Sequence, residues 1–187
     1  MQPAAVRTVD ETNLVFCAQQ GDRQAYGELV IMYRESVVGV VYRMCGDAQV
    51  AEDAAQEAFI RAWQHIRRYQ PRASFRSWVY RIAVNAALDV LRREKPSADI
   101  EAVPLAVTDA GPLAAVEAQE RAQAVQQAVL GLPPASRTVL ILREYQGLSY
   151  QEIADALDIP SGTVMSRLNY ARKHLQQTLA RYLEEPV

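Results

Sequence analysis

The chain has 187 residues, half of them apolar, and 20 Lys and Arg stand against 22 Asp and Glu for a net charge of −2. This is the composition of a soluble, foldable chain, long enough for one large domain or two small ones. No apolar run approaches the ~18 residues of a membrane span, and the opening MQPAAVRTVDETN lacks the pattern of a signal peptide, so a cytoplasmic protein without membrane insertion is expected.

The near-neutral total hides an uneven distribution. Residues 61–95 carry 9 basic and 2 acidic side chains, whereas residues 1–60 carry 4 and 9. A basic stretch inside an acidic chain is the footprint of a polyanion contact on one surface; the other reading is a solvated helix face, in which the signs usually alternate. Apolar residues recur at helical spacing almost throughout, and β-branched alternation between hairpin turns is absent. The expected fold is therefore all-α, with helices near 11–19, 22–45, 49–68, 74–93, 113–130, 135–146, 150–156 and 161–183. Between them, 96–112 has no helical period, is acidic and contains prolines. It reads as a flexible linker between an N-terminal domain, 1–95, and a smaller C-terminal one, 113–187.

Along the first domain, Cys17 and Cys45 lie in helical sequence without CxxC spacing and read as buried small residues. The helix at 49–66 begins acidic with Glu52, Asp53 and Glu57 and turns basic, which either complements the helix dipole or marks a protein-binding face. In the next helix, Val79, Ile82, Ala83, Ala86 and Val90 share an apolar face, while Trp78, Arg81, Asn85, Leu88 and Arg92 line another. Cations that follow a backbone, with an amide and a ring that meet unstacked bases, suit single-stranded DNA. The preceding loop adds Tyr69, Arg72, Ser74, Phe75 and Arg76. Phe75 and Trp78 can equally be core anchors, whereas Arg67, Arg68, Arg72, Arg76 and Arg81 together call for a polyanion.

In the second domain, a helix near 135–145 places Leu140, Ile141 and Tyr145 in the core. Ser149 followed by Glu152 forms a capping box, Asp158-Ile159-Pro160 ends that helix, and Ser161 is placed to cap the next. Two helices joined this closely form a helix-turn-helix. On the second of them Val164, Leu168, Ala171 and Leu175 face inward, and Ser166, Asn169, Tyr170 and Lys173 face outward between Arg167 on one shoulder and Met165 and Arg172 on the other. Short hydrogen-bonding side chains flanked by cations suit the major groove.

Three segments, DAAQEAFIRAW at 53–63, FRSWVYRIAVNAALDVLRR at 75–93 and LPPASRTVLILREYQGLSYQEIADALDIPSGTVMSRLNYARKHL at 132–175, resemble conserved regions two and four of the extracytoplasmic-function (group four) sigma factors of bacterial RNA polymerase. The resemblance implies that 49–66 docks on the β′ clamp helices of core polymerase through Asp53, Gln56, Glu57, Phe59, Ile60 and Trp63, and that the second domain meets the β flap. It implies a melted −10 element held by Asn85 and the loop residues Arg72, Ser74 and Phe75, to which the stripe and loop read above add Arg76, Trp78, Arg81 and Arg92. It further implies a duplex −35 element read by Ser166, Arg167, Asn169, Tyr170 and Arg172, to which the outward face adds Lys173, and an anti-sigma factor as a further partner. The linker resembles the acidic region that threads the polymerase channels in this family. Met165 stands where relatives often carry Arg, so promoter preference does not transfer. The competing reading is a stand-alone helix-turn-helix regulator, which the C-terminal half fits alone and which leaves the 61–95 arginines unexplained. An enzyme is not expected: there is no Gly-rich phosphate loop or metal-ligand cluster, and His65 and His174 lie far apart without nearby nucleophiles, so neither metal nor cofactor is called for.

Overall fold

A computed structural model describes residues 10–70, 74–93 and 112–180, the side chains of 112–118 excepted. Its helices are α1 (Glu11–Gln19), α2 (Arg23–Cys45), α3 (Ala48–His65, prolonged by a 3₁₀ turn at Ile66–Arg68), α4 (Phe75–Arg93), α5 (Pro112–Leu130), α6 (Pro134–Leu140, widening into a π turn at Ile141–Tyr145), α7 (Tyr150–Leu157) and α8 (Ser161–Thr178). Among the described residues there is no strand, and no helix is long and apolar enough to cross a membrane. The linker assigned to 96–112 lies outside the described residues up to position 111.

Three helix starts in the first domain use the same device. Asp10, Asp22 and Asp47 each accept hydrogen bonds from backbone amides of the first turn, as in Asp47 Oδ1 from Val50 N at 2.8 Å. Part of the acidity of residues 1–60 is therefore spent on capping, where a carboxylate also meets the positive end of the helix dipole. α2 ends at Gly46, whose φ of 82° lets its N–H reach Tyr42 O at 2.7 Å.

Small side chains set the distance between the helices. Ala51, Ala54, Ala55, Ala58 and Ala62 form the buried stripe of α3, which packs against α2 and α4, and Ala83, Ala86 and Ala87 do the same on α4. Without longer side chains between them the helices approach closely, and larger residues such as Leu29, Val37, Met44 and Tyr80 fill the remaining core. In the second domain α6, α7 and α8 enclose Leu140, Ile141, Leu148, Ile153, Val164 and Leu168.

The two domains are in contact. α2 packs against α5, α6 and the π turn, and α4 against α7, so that buried residues of both halves join one apolar cluster. Arg137 sits on this boundary, 8% exposed, and its guanidinium donates to Met44 O at the end of α2, to Leu130 O at the end of α5 and to Leu132 O just beyond it. A cation placed at two helix C-termini meets carbonyls that have no intrahelical partner. Burial lowers its pKa, which for a guanidinium leaves the charge in place.

Three local expectations are corrected. Tyr145 is not core: the π turn rotates it outward, 41% exposed, where Arg43 lies over its ring at 4.3 Å. Ser161 does not cap α8, because the cap position falls on Pro160 and the Ser161 hydroxyl donates instead to Gln151 Oε1 at 3.2 Å. Cys17 and Cys45 are half-buried rather than buried.

Candidate nucleic-acid and protein interfaces

The first surface belongs to α3. Asp53, Gln56, Glu57 and Ile60 are exposed along one face, with Ile60 at 53%. Phe59 and Trp63 are half-buried beside them and, with Arg23 and Tyr26 of α2, line a shallow groove of about 340 Å³. Tyr26 builds its floor: its hydroxyl donates to Phe59 O at 2.6 Å, its ring lies 4.9 Å from that of Trp63, and burial raises its pKa, keeping the phenol neutral. An exposed aliphatic side chain beside an aromatic groove, with Asp53 and Glu57 further along the same helix face, suits a protein partner with apolar anchors and basic flanks. The contribution of α2 was not foreseen, since Arg23 and Tyr26 are more than thirty positions from Phe59 and no local pattern joins them.

The second surface is the α4 stripe. Arg81, Asn85 and Arg92 are exposed and Leu88 is half-buried among them. Among the described residues, Arg81 makes no ion pair and Asn85 no side-chain hydrogen bond, while Arg92 approaches Asp89 at 3.6 Å. Asp89 also receives Arg61 of α3 at 3.1 Å, and Arg61 is bound to Glu57 at 2.8 Å. These hydrogen bonds, donated by Arg61 to Glu57 first and then to Asp89, raise the Arg61 pKa. The α3 face and the α4 stripe are thus joined by a short chain of charges that sequence spacing did not reveal.

At the head of α4 the expectation divides. Phe75 is 4% exposed, with Tyr33 and Tyr69 ring centroids 5.7 Å away and Trp78 at 5.5 Å. It is the core anchor of the two readings, and Trp78, against Tyr69 at 5.1 Å, is the half-buried ring of the pair. Ser74 is occupied as the helix cap, its Oγ accepting from Ser77 N at 3.2 Å. Gln19 fixes the incoming turn by donating to Ile66 O and Tyr69 O. Arg76 is half-buried with its guanidinium 5.8 Å from the Tyr80 ring, and Arg72 lies outside the described residues.

The third surface is α8. Val164, Leu168 and Ala171 are fully buried, and Ser166, Asn169, Tyr170, Arg172 and Lys173 are exposed, as their spacing predicts. The helix is aimed by α7, whose capping box is complete: Glu152 N donates to Ser149 Oγ at 3.2 Å and Ser149 N to Glu152 Oε2 at 2.8 Å. Asp158 then turns the chain with a φ of 54°, a left-handed conformation that Asp adopts more readily than most side chains. Arg172 is engaged by Glu144 at 2.6 Å, which raises its pKa and restricts where it can point. Arg167 and Lys173 carry no ion pair among the described residues. Among those residues there is also no cluster of His, Cys, Asp and Glu placed to hold a metal ion.

The chain matches two family models, sigma-70 region 2 over residues 29–96 and sigma-70 region 4 over 122–175. It is 37% identical over 186 residues to the RNA polymerase sigma-H factor of Pseudomonas aeruginosa, with 94% of this chain and 96% of that one covered. It is 35% identical to the ECF RNA polymerase sigma factor SigW of Bacillus subtilis, covering 86% and 92%. Among solved structures, CnrH in complex with the cytosolic domain of CnrY superposes with a TM-score of 0.71 at 24% identity, covering 91% of this chain and 97% of that one, a likeness of fold.

Proposed function

The chain belongs to the sigma-70 family as an extracytoplasmic-function sigma factor, and from that membership we propose how its three surfaces divide the work of promoter-specific initiation. The α3 face, with Asp53, Gln56, Glu57, Phe59, Ile60 and Trp63, docks on the clamp helices of core RNA polymerase. Arg81, Asn85 and Arg92, with Trp78 and Arg76 at the head of the stripe, hold the melted −10 element. Ser166, Arg167, Asn169, Tyr170, Arg172 and Lys173 read the −35 duplex while the second domain rests on the β flap. Residues 1–95 and 113–187 are the two functional domains, and 96–112 spans between them. An anti-sigma factor that clasps both domains completes the set of partners. Catalysis belongs to the polymerase.

One observation carries this reading. A single chain presents a surface suited to unstacked strand and another suited to a duplex groove, together with an apolar face, acidic further along its helix, suited to protein. A stand-alone regulator has use for the second only, and leaves the region 2 match over 29–96 without a role.

The test is reconstitution. Core polymerase with the purified full chain should yield discrete start sites on genomic templates, and the chain alone should bind promoter duplex weakly at physiological salt, because its net charge of −2 opposes approach. Tight, specific duplex binding without polymerase, and no association with core, would return the protein to the regulators.

A further inference from the structure

The docking face of α3 has a neighbour on α2. The two helices run antiparallel: Tyr26 meets Phe59 and Trp63 near one end of their seam, and Arg34 pairs with Glu52 at 2.8 Å near the other. Gly27 stands between these contacts, four positions after Arg23 and seven before Arg34, and therefore on the same side of the helix as both. It is half-buried in the interior of α2, and a Cβ added there would meet nothing within 4 Å. The fold has room for a side chain at this position, and glycine inside a helix is less stable than alanine. A residue that weakens its helix and relieves no crowding inside the chain has its use outside it. Gly39, further along the same helix, is the counterexample: Arg43 Nη1 lies 2.9 Å from where its Cβ would stand, so the chain itself accounts for that glycine.

We propose that Gly27 is the point at which the backbone of a helix of core RNA polymerase approaches α2, so that the partner lies across the α2–α3 seam rather than on α3 alone. The distance between packed helices is set by the side chains at their crossing, and a glycine there allows the closest approach. The surroundings fix what the partner carries. The groove lined by Tyr26, Phe59, Ile60 and Trp63 takes an apolar side chain. Ile31, one turn beyond Gly27, is 75% exposed and extends the apolar surface along α2. Arg23, at the groove, makes no ion pair among the described residues, while Asp53 and Glu57 lie on α3. A helix that sets an acid over Arg23 and bases toward α3 is complementary to both sides of the seam.

The inference rests on the assignment of α3 to core polymerase, and the experiment separates the two. Gly27→Ala, Gly27→Leu and Ile60→Asp in the full chain are melted and then titrated onto fluorescently labelled core polymerase. Gly27→Ala should melt about 2 °C or more above wild type, because it removes the helix penalty of glycine and meets no neighbour. It should nevertheless bind core about fivefold or more weakly, because a methyl group now stands where two backbones meet. Gly27→Leu, with the helical content of wild type, should bind about tenfold or more weakly. Higher stability together with lower affinity is a pairing that a purely structural role for Gly27 does not produce.

A Gly27→Ala chain that binds core like wild type, while Ile60→Asp does not, overturns the close approach and leaves α3 as the docking face. A Gly27→Ala chain that melts no higher than wild type shows that the fold itself has use for the glycine, and overturns the inference equally. Weak binding by Gly27→Ala beside wild-type binding by Ile60→Asp separates α2 from α3 and overturns the shared seam. Wild-type binding by all three removes the docking face, and this inference with it.

Discussion

In α7 and α8, the residues that cap, turn and face the groove all lie within positions 149–175, whereas the surfaces of the first domain are assembled from α2, α3 and α4 across dozens of positions. The consequences differ. The helix-turn-helix derives its geometry from hydrogen bonds three residues apart, as between Ser149 and Glu152, and keeps it wherever the domain moves. The α3 face and α4 stripe are held by alanine-lined packing and by the Glu57, Arg61, Asp89 and Arg92 chain, so a change on one is felt on the other. The first domain is suited to coupling two partners, and the second to carrying one fixed reading head.

The largest expected effect breaks the protein-facing side of that contrast. Ile60→Asp places a charge in the exposed apolar centre of the α3 face without disturbing the buried alanines. Loss of a central interface anchor costs on the order of 2 kcal/mol or more. Binding to core polymerase should therefore weaken by about thirtyfold or more, with the helical content unchanged. Wild-type affinity in a folded Ile60→Asp would remove α3 from the docking surface.

On the other side, Arg167→Ala should cost −35 duplex recognition about 1–3 kcal/mol if the guanidinium makes a bidentate base contact, with relaxed preference at one position. A phosphate contact would weaken all sequences alike. Footprinting of holoenzyme on a set of single-substitution promoters distinguishes the two, and unchanged binding on every duplex would exclude Arg167 from the site.

Asn85→Ala sharpens the comparison within the first domain. Its amide is exposed and neutral, so it adds little long-range attraction but can pair with the edge of a base that has left the stack. Closed-complex formation should be spared, while permanganate reactivity of −10 thymines and run-off transcript fall by roughly tenfold, about the 1–3 kcal/mol of one base contact. A pre-melted template should restore part of the loss if Asn85 assists strand separation. Full activity on both templates would rule out the stripe as the −10 surface.

The same contrast decides what could be read in advance. The capping box, the Asp158 turn and the inward face of α8 are legible because they depend on spacings of three and four residues. Eight helices were likewise legible from their periodicity, with Ser161 failing as a cap because the proline before it already starts the helix in extended backbone. Phe75 and Trp78 could not be separated on the page of the sequence: both are aromatic and three apart on one helix. Only the packing of Tyr33 and Tyr69 decides that Phe75 is inside. Tyr145 was lost to a π turn, which shifts every later side chain around the axis and has no single-residue signature. The domain contact through Tyr80, Gln146 and Arg137 joins positions that no local pattern relates.

The smallest expected effect tests whether the reading head is as self-contained as its sequence suggests. The Glu152 carboxylate is held below the usual glutamate range, first by the Ser149 amide donating to it and then by the Ser149 hydroxyl, with Arg76 of α4 adding the last contribution. A carboxylate lowered in the folded state contributes stability that is fully present above its unfolded value of about 4.3 and disappears as the pH falls through the folded value. Glu152→Gln keeps a side-chain acceptor for the Ser149 amide and removes the proton linkage. The variant should therefore be less stable than wild type at neutral pH, by about 1 kcal/mol or less for one exposed cap, and the difference should close as wild-type Glu152 is protonated below pH 4. Denaturant melts followed across that range measure it. If Arg76→Ala, on the other domain, narrows the difference as well, the cap is tuned through the domain boundary, and the C-terminal domain is less independent than its contiguous motif implies. A gap that stays constant from pH 7 to pH 3 would mean that Glu152 carries no charge-dependent part of the cap at all.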